Sequence, residues 1–284
     1  MPSATAGPGT LYLCATPIGN LEDITLRVIR VLQEVHLIAA EDTRRTKKLL
    51  NHYNITTPLV SYHEHNRKAR GQELLRRLQA GENIALVSDA GMPGIADPGT
   101  ELVQEAVACG IPLVALPGPT ALITALVVSG LPTESFVFAG FPPRKGRERE
   151  AFFNTLAAEG RTTVFYEAPH RLLETLADLK KIAGDRWLVV ARELTKQHEE
   201  IRRGSISQHL EHFRQQSPRG EFCLVLSGAP ADGEGDLTPG WLQEGVELVQ
   251  ELVALGLEKK EAIRIAARER GLPKNALYAA LLKK

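Results

Sequence analysis

The sequence predicts an α/β protein made of two α/β domains and a small C-terminal helical module. Short apolar runs alternate with segments of helical spacing along most of the chain. The runs are continuously apolar, as strands buried on both faces of a mostly parallel sheet are. The chain has 284 residues, which at roughly 150 residues per domain suggests about two domains. Composition agrees: 43% hydrophobic and 24% charged is near the soluble globular average and unlike disordered, collagen-like or coiled-coil chains.

The first domain is expected over residues 11–130. Residues 11–15 read as a strand ending in Thr16-Pro17-Ile18-Gly19-Asn20, and residues 24–32 have helical spacing. A second buried strand, 35–40, runs into Glu41-Asp42-Thr43-Arg44 and a basic helix to His52. A helix near 72–79 precedes the strand 84–88, and the loop 89–99 leads to a helix over 100–109, with Gly110 as its C-terminal cap. The strand 112–116 ends in Pro117-Gly118-Pro119-Thr120 before a helix over 121–129.

The second domain is expected over 131–230, with strands at 136–140, 163–166, 187–192 and 221–226 and helices at 150–159, 169–182 and 207–215. Residues 141–150 carry Arg144, Lys145, Arg147 and Arg149 beside Pro and Gly, the composition of a mobile basic loop. Residues 229–240 are rich in Gly, Pro and Asp and read as a linker. The module, 241–284, reads as three helices, the last two joined by Gly271-Leu272-Pro273. From Glu258 onward it has eight Lys/Arg against three acids. Such a unit suits nucleic-acid docking, or serves as a solvated tail packed on the body.

Charge and cysteines narrow the function classes. Lys+Arg and Asp+Glu both number 34, so any basic surface must be local. Cys14, Cys109 and Cys223 lie far apart, which indicates neither a disulfide framework nor a zinc site but reduced thiols. The N-terminus lacks the form of a secretory signal, and the longest apolar runs fall far short of the ~20 residues that span a bilayer. A soluble cytoplasmic protein is expected.

No phosphate loop, dinucleotide fingerprint, nucleophile elbow or zinc-protease motif is present. Instead, three strand-terminal loops are rich in Gly and Pro: residues 16–19, 88–94 and 117–120. Ligands of open α/β sheets sit at the carboxyl ends of strands, where Gly permits close backbone approach and Pro stiffens the loop. Asp89 is expected to face a ligand, with a local Asx-turn as the alternative. Asp97 is expected to cap the helix that follows, with Pro98 at its first position. Thr120 can cap its helix, turn its hydroxyl to a ligand, or both.

Four charged loops complete the pattern: 41–44, Tyr62-His63-Glu64-His65-Asn66, residues 166–171 and residues 192–196. Three begin where an apolar strand ends, and together they suggest an anion- or RNA-binding rim. His63 and His65 alternate on what reads as an extended segment; solvated histidines explain them better than a metal site. Taken singly, Asp42 reads as a helix N-cap, and Glu167 and Glu193 as partners of Arg171 or Arg192 in surface ion pairs.

These motifs carry a resemblance. LCATPIGNLED (13–23), AEDTR (40–44), SDAGMPGIADPG (88–99), LPGPTAL (116–122), YEAPHR (166–171) and RELTK (192–196) resemble the ribosomal RNA small subunit methyltransferase I family. That family belongs to the tetrapyrrole-methylase-like, class III group of S-adenosylmethionine-dependent methyltransferases. The likeness runs from about residue 11 to the final helices. It implies two α/β domains with S-adenosylmethionine in the cleft between them, and a homodimer. It also implies methylation of a cytidine ribose 2′-oxygen in the decoding region of small-subunit (16S) rRNA. Carried over by motif, Pro17, Gly19, Asp89, Gly91, Met92, Thr120, Ala121 and Tyr166 bind the cofactor. Met92 stands where the family pattern has Thr, which puts a hydroxyl contact there in doubt. Glu41, Asp42, Glu167, His170, Glu193 and Lys196 are expected around the target ribose, with a carboxylate or His170 as general base. Arg44, Arg45, Lys47, Lys48, Arg67, Lys68, Arg70 and the cations of 144–149 are expected at RNA phosphates. Two rival readings differ in acceptor or class: a precorrin- or diphthine-type methylase, and a non-catalytic RNA-binding assembly protein.

Overall fold

The computed structural model describes residues 7–229, 240–270 and 274–281. Most of the proposed linker and the 271–273 connection lie outside them. The chain divides into two compact units. The first runs to Thr124 and takes in Leu194–Gln197; the second holds Ala125–Glu193 and the chain from His198 onward.

In the first unit the elements run β1 (Leu11–Cys14), α1 (Leu26–Glu34), β2 (Leu37–Ala40), α2 (Thr43–His52), β3 (Leu59–Ser61), α3 (Arg67–Gln79), β4 (Ile84–Val87), α4 (Thr100–Ala108) and β5 (Leu113–Leu116). The helix α5 (Ala121–Ser129) carries the chain into the second unit. All five strands pair in parallel in the order β3-β2-β4-β1-β5. Every residue of β2 and β4 is buried, which is why these strands are legible as unbroken apolar runs. One core cluster packs Val28, Leu32 and Leu50 beside Ile38 and Ala85. A second packs Leu74, Leu78 and Leu102 beside Leu37 and Leu86. Alternate residues of β2 and β4 thus enter different clusters, as the strand period requires.

Helix starts follow local chemistry. Thr25 Oγ1 accepts from Val28 N–H, and Asp42 caps α2 by accepting from Arg44 N–H. Gly110, at φ +68°, follows the end of α4 as the sequence predicts. Asp97 does not cap α4: the helix begins at Thr100 with Gly99 in the cap position.

The second unit contains β6 (Phe136–Phe138), α6 (Gly146–Ala158), β7 (Thr162–Glu167), α7 (Leu172–Ala183), β8 (Trp187–Arg192), β9 (Glu200–Ser205), α8 (Ile206–Gln215) and β10 (Phe222–Leu226). Its sheet, β6-β7-β10-β8-β9, is mixed: only β6 and β7 run parallel. The strand β9, sequence EIRRGS, escapes a hydrophobicity reading because it is a charged edge strand. Then come α9 (Gly240–Ala254), α10 (Lys259–Glu269) and α11 (Lys274–Leu281). They pack on one another and bury Leu242, Val246, Ile263, Ala266 and Leu277.

The basic segment 141–150 departs most from expectation. Its second half is the start of α6, and Arg149 is buried. Arg149 Nε donates to Asp178 at 2.8 Å, one terminal nitrogen to Thr175 Oγ1 at 3.0 Å and the other to Pro143 O at 3.1 Å. Its guanidinium lies 4.9 Å from the Phe153 ring centre. Arg149 is therefore withdrawn as a phosphate contact. Arg171 donates to the carbonyls of Pro142 (2.5 Å) and Pro143 (2.9 Å), so the segment is anchored by two arginines. Removing one partner of a fully buried ion pair costs roughly 3–5 kcal/mol. Asp178 keeps 34% of its side chain exposed, so Arg149→Ala is expected to cost less, about 2–3 kcal/mol. Urea unfolding measures this, and a loss below about 0.5 kcal/mol would contradict the bracing role.

Candidate functional site

The site grows out of the strand order. Neighbours β4, β1 and β5 put the loops 88–94, 16–19 and 117–120 at adjacent carboxyl ends of a parallel sheet. The loops touch. Thr16 and Gly91 exchange two backbone hydrogen bonds of 2.9 Å. Thr16 Oγ1 donates to Ser88 O, and Ser88 Oγ to Gly91 O, both at 3.1 Å. Gly91 holds φ +80° and faces Ile18 and the Pro119–Thr120 backbone. A Cβ on Gly118 would stand 2.7 Å from that of Ala15. Gly118 is thus required by loop-to-loop contact, and Gly91 by its left-handed backbone. Thr120 caps α5 through Ile123 N–H at 3.3 Å, and Ala121 begins that helix.

The RELTK segment closes on the first loop. Asn20 N–H donates to Thr195 Oγ1 at 3.1 Å. A side chain at Gly19 would collide with Leu194 O, Thr195 Oγ1 and Lys196 Cγ. Pro17, Gly19 and Lys196 therefore share one neighbourhood.

Because β2 lies beside β4, Glu41 and Asp42 stand next to Asp89. Asp89 Oδ1 accepts from Asp42 N–H at 2.9 Å, and Arg45 pairs with its other oxygen at 3.3 Å. This bond joins two strand ends and replaces the local Asx-turn alternative. Burial, and then the Asp89 charge, raise the Glu41 carboxyl above its usual range; its Oε2 is buried without a hydrogen-bond partner. Asp97, which the sequence reads as a helix cap and not as a site residue, belongs to the same cluster. Burial, then Glu41 and Asp89, push it up to about 6. The DPGT string resembles a helix start, which hid this placement. Arg44 holds the Asp42 carboxyl well below the ordinary range. A cavity of about 170 Å³ opens here, lined in part by Thr16, Pro17, Arg45, Ser88 and Asp89.

The second unit supplies the remaining predicted residues. Glu167 is not at the surface. Its buried carboxylate accepts from Ala168 N–H at 2.8 Å and from Thr175 Oγ1, with Arg171 Nε at 3.5 Å. It holds the 167–171 turn, and this burial withdraws it from the set facing a ribose. His170 is exposed. Glu193, at φ +49°, accepts from Glu221 N–H at 2.9 Å. The Tyr166 ring lies 5.1 Å from Phe138 and 5.4 Å from Phe141. His63 and His65 sit in a turn closed by Asn66, not on an extended segment, with ring centres 5.9 Å apart. Among the described residues no cluster of His, Cys, Asp and Glu could hold a metal ion, and no helix is long and apolar enough to cross a membrane.

A parallel five-stranded sheet with backbone-rich loops, next to a mixed five-stranded sheet in sequence, defines the class. Residues 10–209 match the model of the Tetrapyrrole (Corrin/Porphyrin) Methylases. The fold is shared with uroporphyrin-III-C-methyltransferase from Thermus thermophilus (TM-score 0.55, 22% identity, 77% of this chain and 94% of that one). It is also shared with a cobalt precorrin-4 methyltransferase (TM-score 0.60, 16% identity, 77% and 94%). Curated relatives go further. "Ribosomal RNA small subunit methyltransferase I" of Synechocystis sp. is 53% identical over 95% of this chain and 96% of its own length. The Bacillus subtilis protein of that name is 47% identical over 96% and 94%. The chain belongs to the ribosomal RNA small subunit methyltransferase I family, within the tetrapyrrole methylases.

The Asp97 carboxyl gives a signed pH test. Its folded value, about 6, lies above the ordinary aspartate value of 3.8. The native state then holds the proton more tightly, so this group's contribution to stability is full below pH about 4 and lost as pH rises through about 6. Asp97→Asn is expected to melt above the wild type at pH about 8, with the difference closing by pH about 4. Equal melting temperatures at pH about 8 would contradict the half-buried carboxyl cluster.

Proposed function

We propose that the chain uses S-adenosylmethionine to methylate the ribose 2′-hydroxyl of a cytidine in the decoding region of small-subunit ribosomal RNA. The observation that carries this reading is the meeting of three Gly/Pro loops beside the Glu41–Asp89–Asp97 carboxyls, in a chain of this family. The donor set fits the cofactor. S-adenosylmethionine has an amine, a carboxylate, a ribose, an adenine and a sulfonium but no phosphate. The loops offer backbone N–H and C=O groups, while the unpartnered Glu41 Oε2 suits a hydroxyl or a cation. Pro17, Gly19, Asp89, Gly91, Met92, Thr120 and Ala121 would hold it in the first unit; Tyr166 has the same role by its motif. When bound, it supplies a methyl group for in-line transfer to oxygen.

The chain's own residues align the acceptor and receive its proton. Alignment can supply ~7–11 kcal/mol, against roughly 10²–10⁴-fold from a general base, so positioning is the larger contribution. Glu41, whose carboxyl is raised, suits the base role better than Asp42, whose carboxylate is bound by Arg44. Lys196 stands beside the first loop. His170 and Glu193 belong to the second unit and are assigned to the RNA rim. Exposed Lys47, Lys48, Arg44 and Arg45 meet phosphates, which position RNA without reading its sequence. Homodimerisation, an assembled small subunit as substrate, a cytoplasmic location and RNA docking by the basic helices α10 and α11 complete the reading.

Incubation of methyl-labelled cofactor with intact small subunits and with naked rRNA, followed by mapping of the modified sugar, tests it. Label at a ribose 2′-oxygen is expected, with Glu41→Ala slowing turnover by roughly 10²-fold or more. No label in RNA would overturn the reading. Near-normal rates in alanine variants of Glu41, Asp42, His170, Glu193 and Lys196 would overturn the site assignment. Substrate affinity is also expected to fall steeply between low and physiological salt; a flat response would argue against an RNA substrate.

A further inference from the structure

Of the described phenylalanines only Phe141 is exposed, keeping 51% of its surface open. It is not a loose surface ring. It sits 5.4 Å from Tyr166, which itself lies 5.1 Å from Phe138 at the end of β6. The next two residues are Pro142 and Pro143, whose carbonyls are held by Arg171 and Arg149. Those guanidiniums are fixed in turn by Glu167, Thr175 and Asp178. Five polar side chains, three of them buried, thus hold in place a loop whose tip is an apolar ring in water. Arg144, Lys145 and Arg147 follow within six residues, all exposed, before Glu148 on α6.

We propose that Phe141 is a stacking platform for an unpaired base of the RNA substrate, with Arg144, Lys145 and Arg147 taking the neighbouring phosphates. The proposal rests on the RNA-methyltransferase reading and adds to it a specific contact. Aromatic rings stack on bases because every base has a π-face, and adjacent cations follow the backbone. The braces keep the ring ordered before binding, which reduces the entropy lost on association. Arg149, Arg171 and Glu167 become positioning residues for this contact.

The test compares wild type with Phe141→Ala, Phe141→Leu and Phe141→Tyr, using isolated small ribosomal subunits and labelled S-adenosylmethionine. Melting temperatures report folding, and equilibrium dialysis reports donor affinity. Loss of one stacked base corresponds to about 5- to 150-fold in affinity. The Ala and Leu variants are expected to raise KM for subunits by that factor with donor affinity unchanged, and Phe141→Tyr to stay within about twofold of wild type. A Leu variant equal to wild type would overturn stacking in favour of a plain apolar contact. An unchanged KM in the Ala variant would overturn the platform while leaving the methyltransferase reading intact. A parallel loss of donor affinity would place Phe141 in the donor site instead. Wild type that methylates no subunit RNA would remove the function and the platform together.

Discussion

Two backbone hydrogen bonds between Thr16 and Gly91 hold the first unit's site together. They are available because β1 lies between β4 and β5 in a parallel sheet, so three loops leave neighbouring strands at the same edge. Gly91 adopts a backbone conformation that side chains disfavour, and Gly118 leaves no room for a side chain against Ala15. The Thr16 hydroxyl then satisfies the Ser88 carbonyl, and the Ser88 hydroxyl adds a second bond to the Gly91 carbonyl that already accepts the Thr16 N–H. Main-chain and hydroxyl hydrogen bonds thus tie two of the three loops to each other.

The same strand order sets the electrostatics. With β2 beside β4, the carboxylates that follow the two strands must share space. Asp89 meets this by accepting the Asp42 N–H and pairing with Arg45. Burial first, and then the neighbouring carboxylates, raise the proton affinities of Glu41 and Asp97, the nearby Arg45 charge only partly offsetting this at Glu41. A carboxyl raised towards neutral pH at a strand end is costly to the fold and useful to chemistry that moves a proton. In the second unit the carboxylate of Glu167 is spent on Thr175 and Arg171, and its contribution is to hold a turn.

Much of this was legible in the sequence, for physical reasons that differ by element. Fully buried parallel strands announce themselves as apolar runs, and Gly/Pro clusters after them mark loops that approach a ligand or one another. That the loops meet follows from strand order, which is non-local and which no single segment encodes. The edge strand β9 was hidden by its charges, and β3 by its three-residue length. Asp97 looked like a helix cap because it precedes Pro98 and a helix, yet Gly99 takes that position. Arg149 looked like one more cation of a basic loop; only the packing of α6 against α7 shows it buried on Asp178 and Thr175. Charge pattern cannot separate an inward arginine from an outward one, since both kinds recur in the same short stretch.

Three separate strand-end loops meet at one edge of the first unit's sheet, and one ligand is proposed to cover all three. Hydrogen–deuterium exchange with and without S-adenosylmethionine tests it most directly. Slowed exchange is expected together in residues 16–20, 88–94 and 117–122, rising along a single binding isotherm. Protection confined to one loop, or absent from all three while the cofactor binds elsewhere, would contradict it.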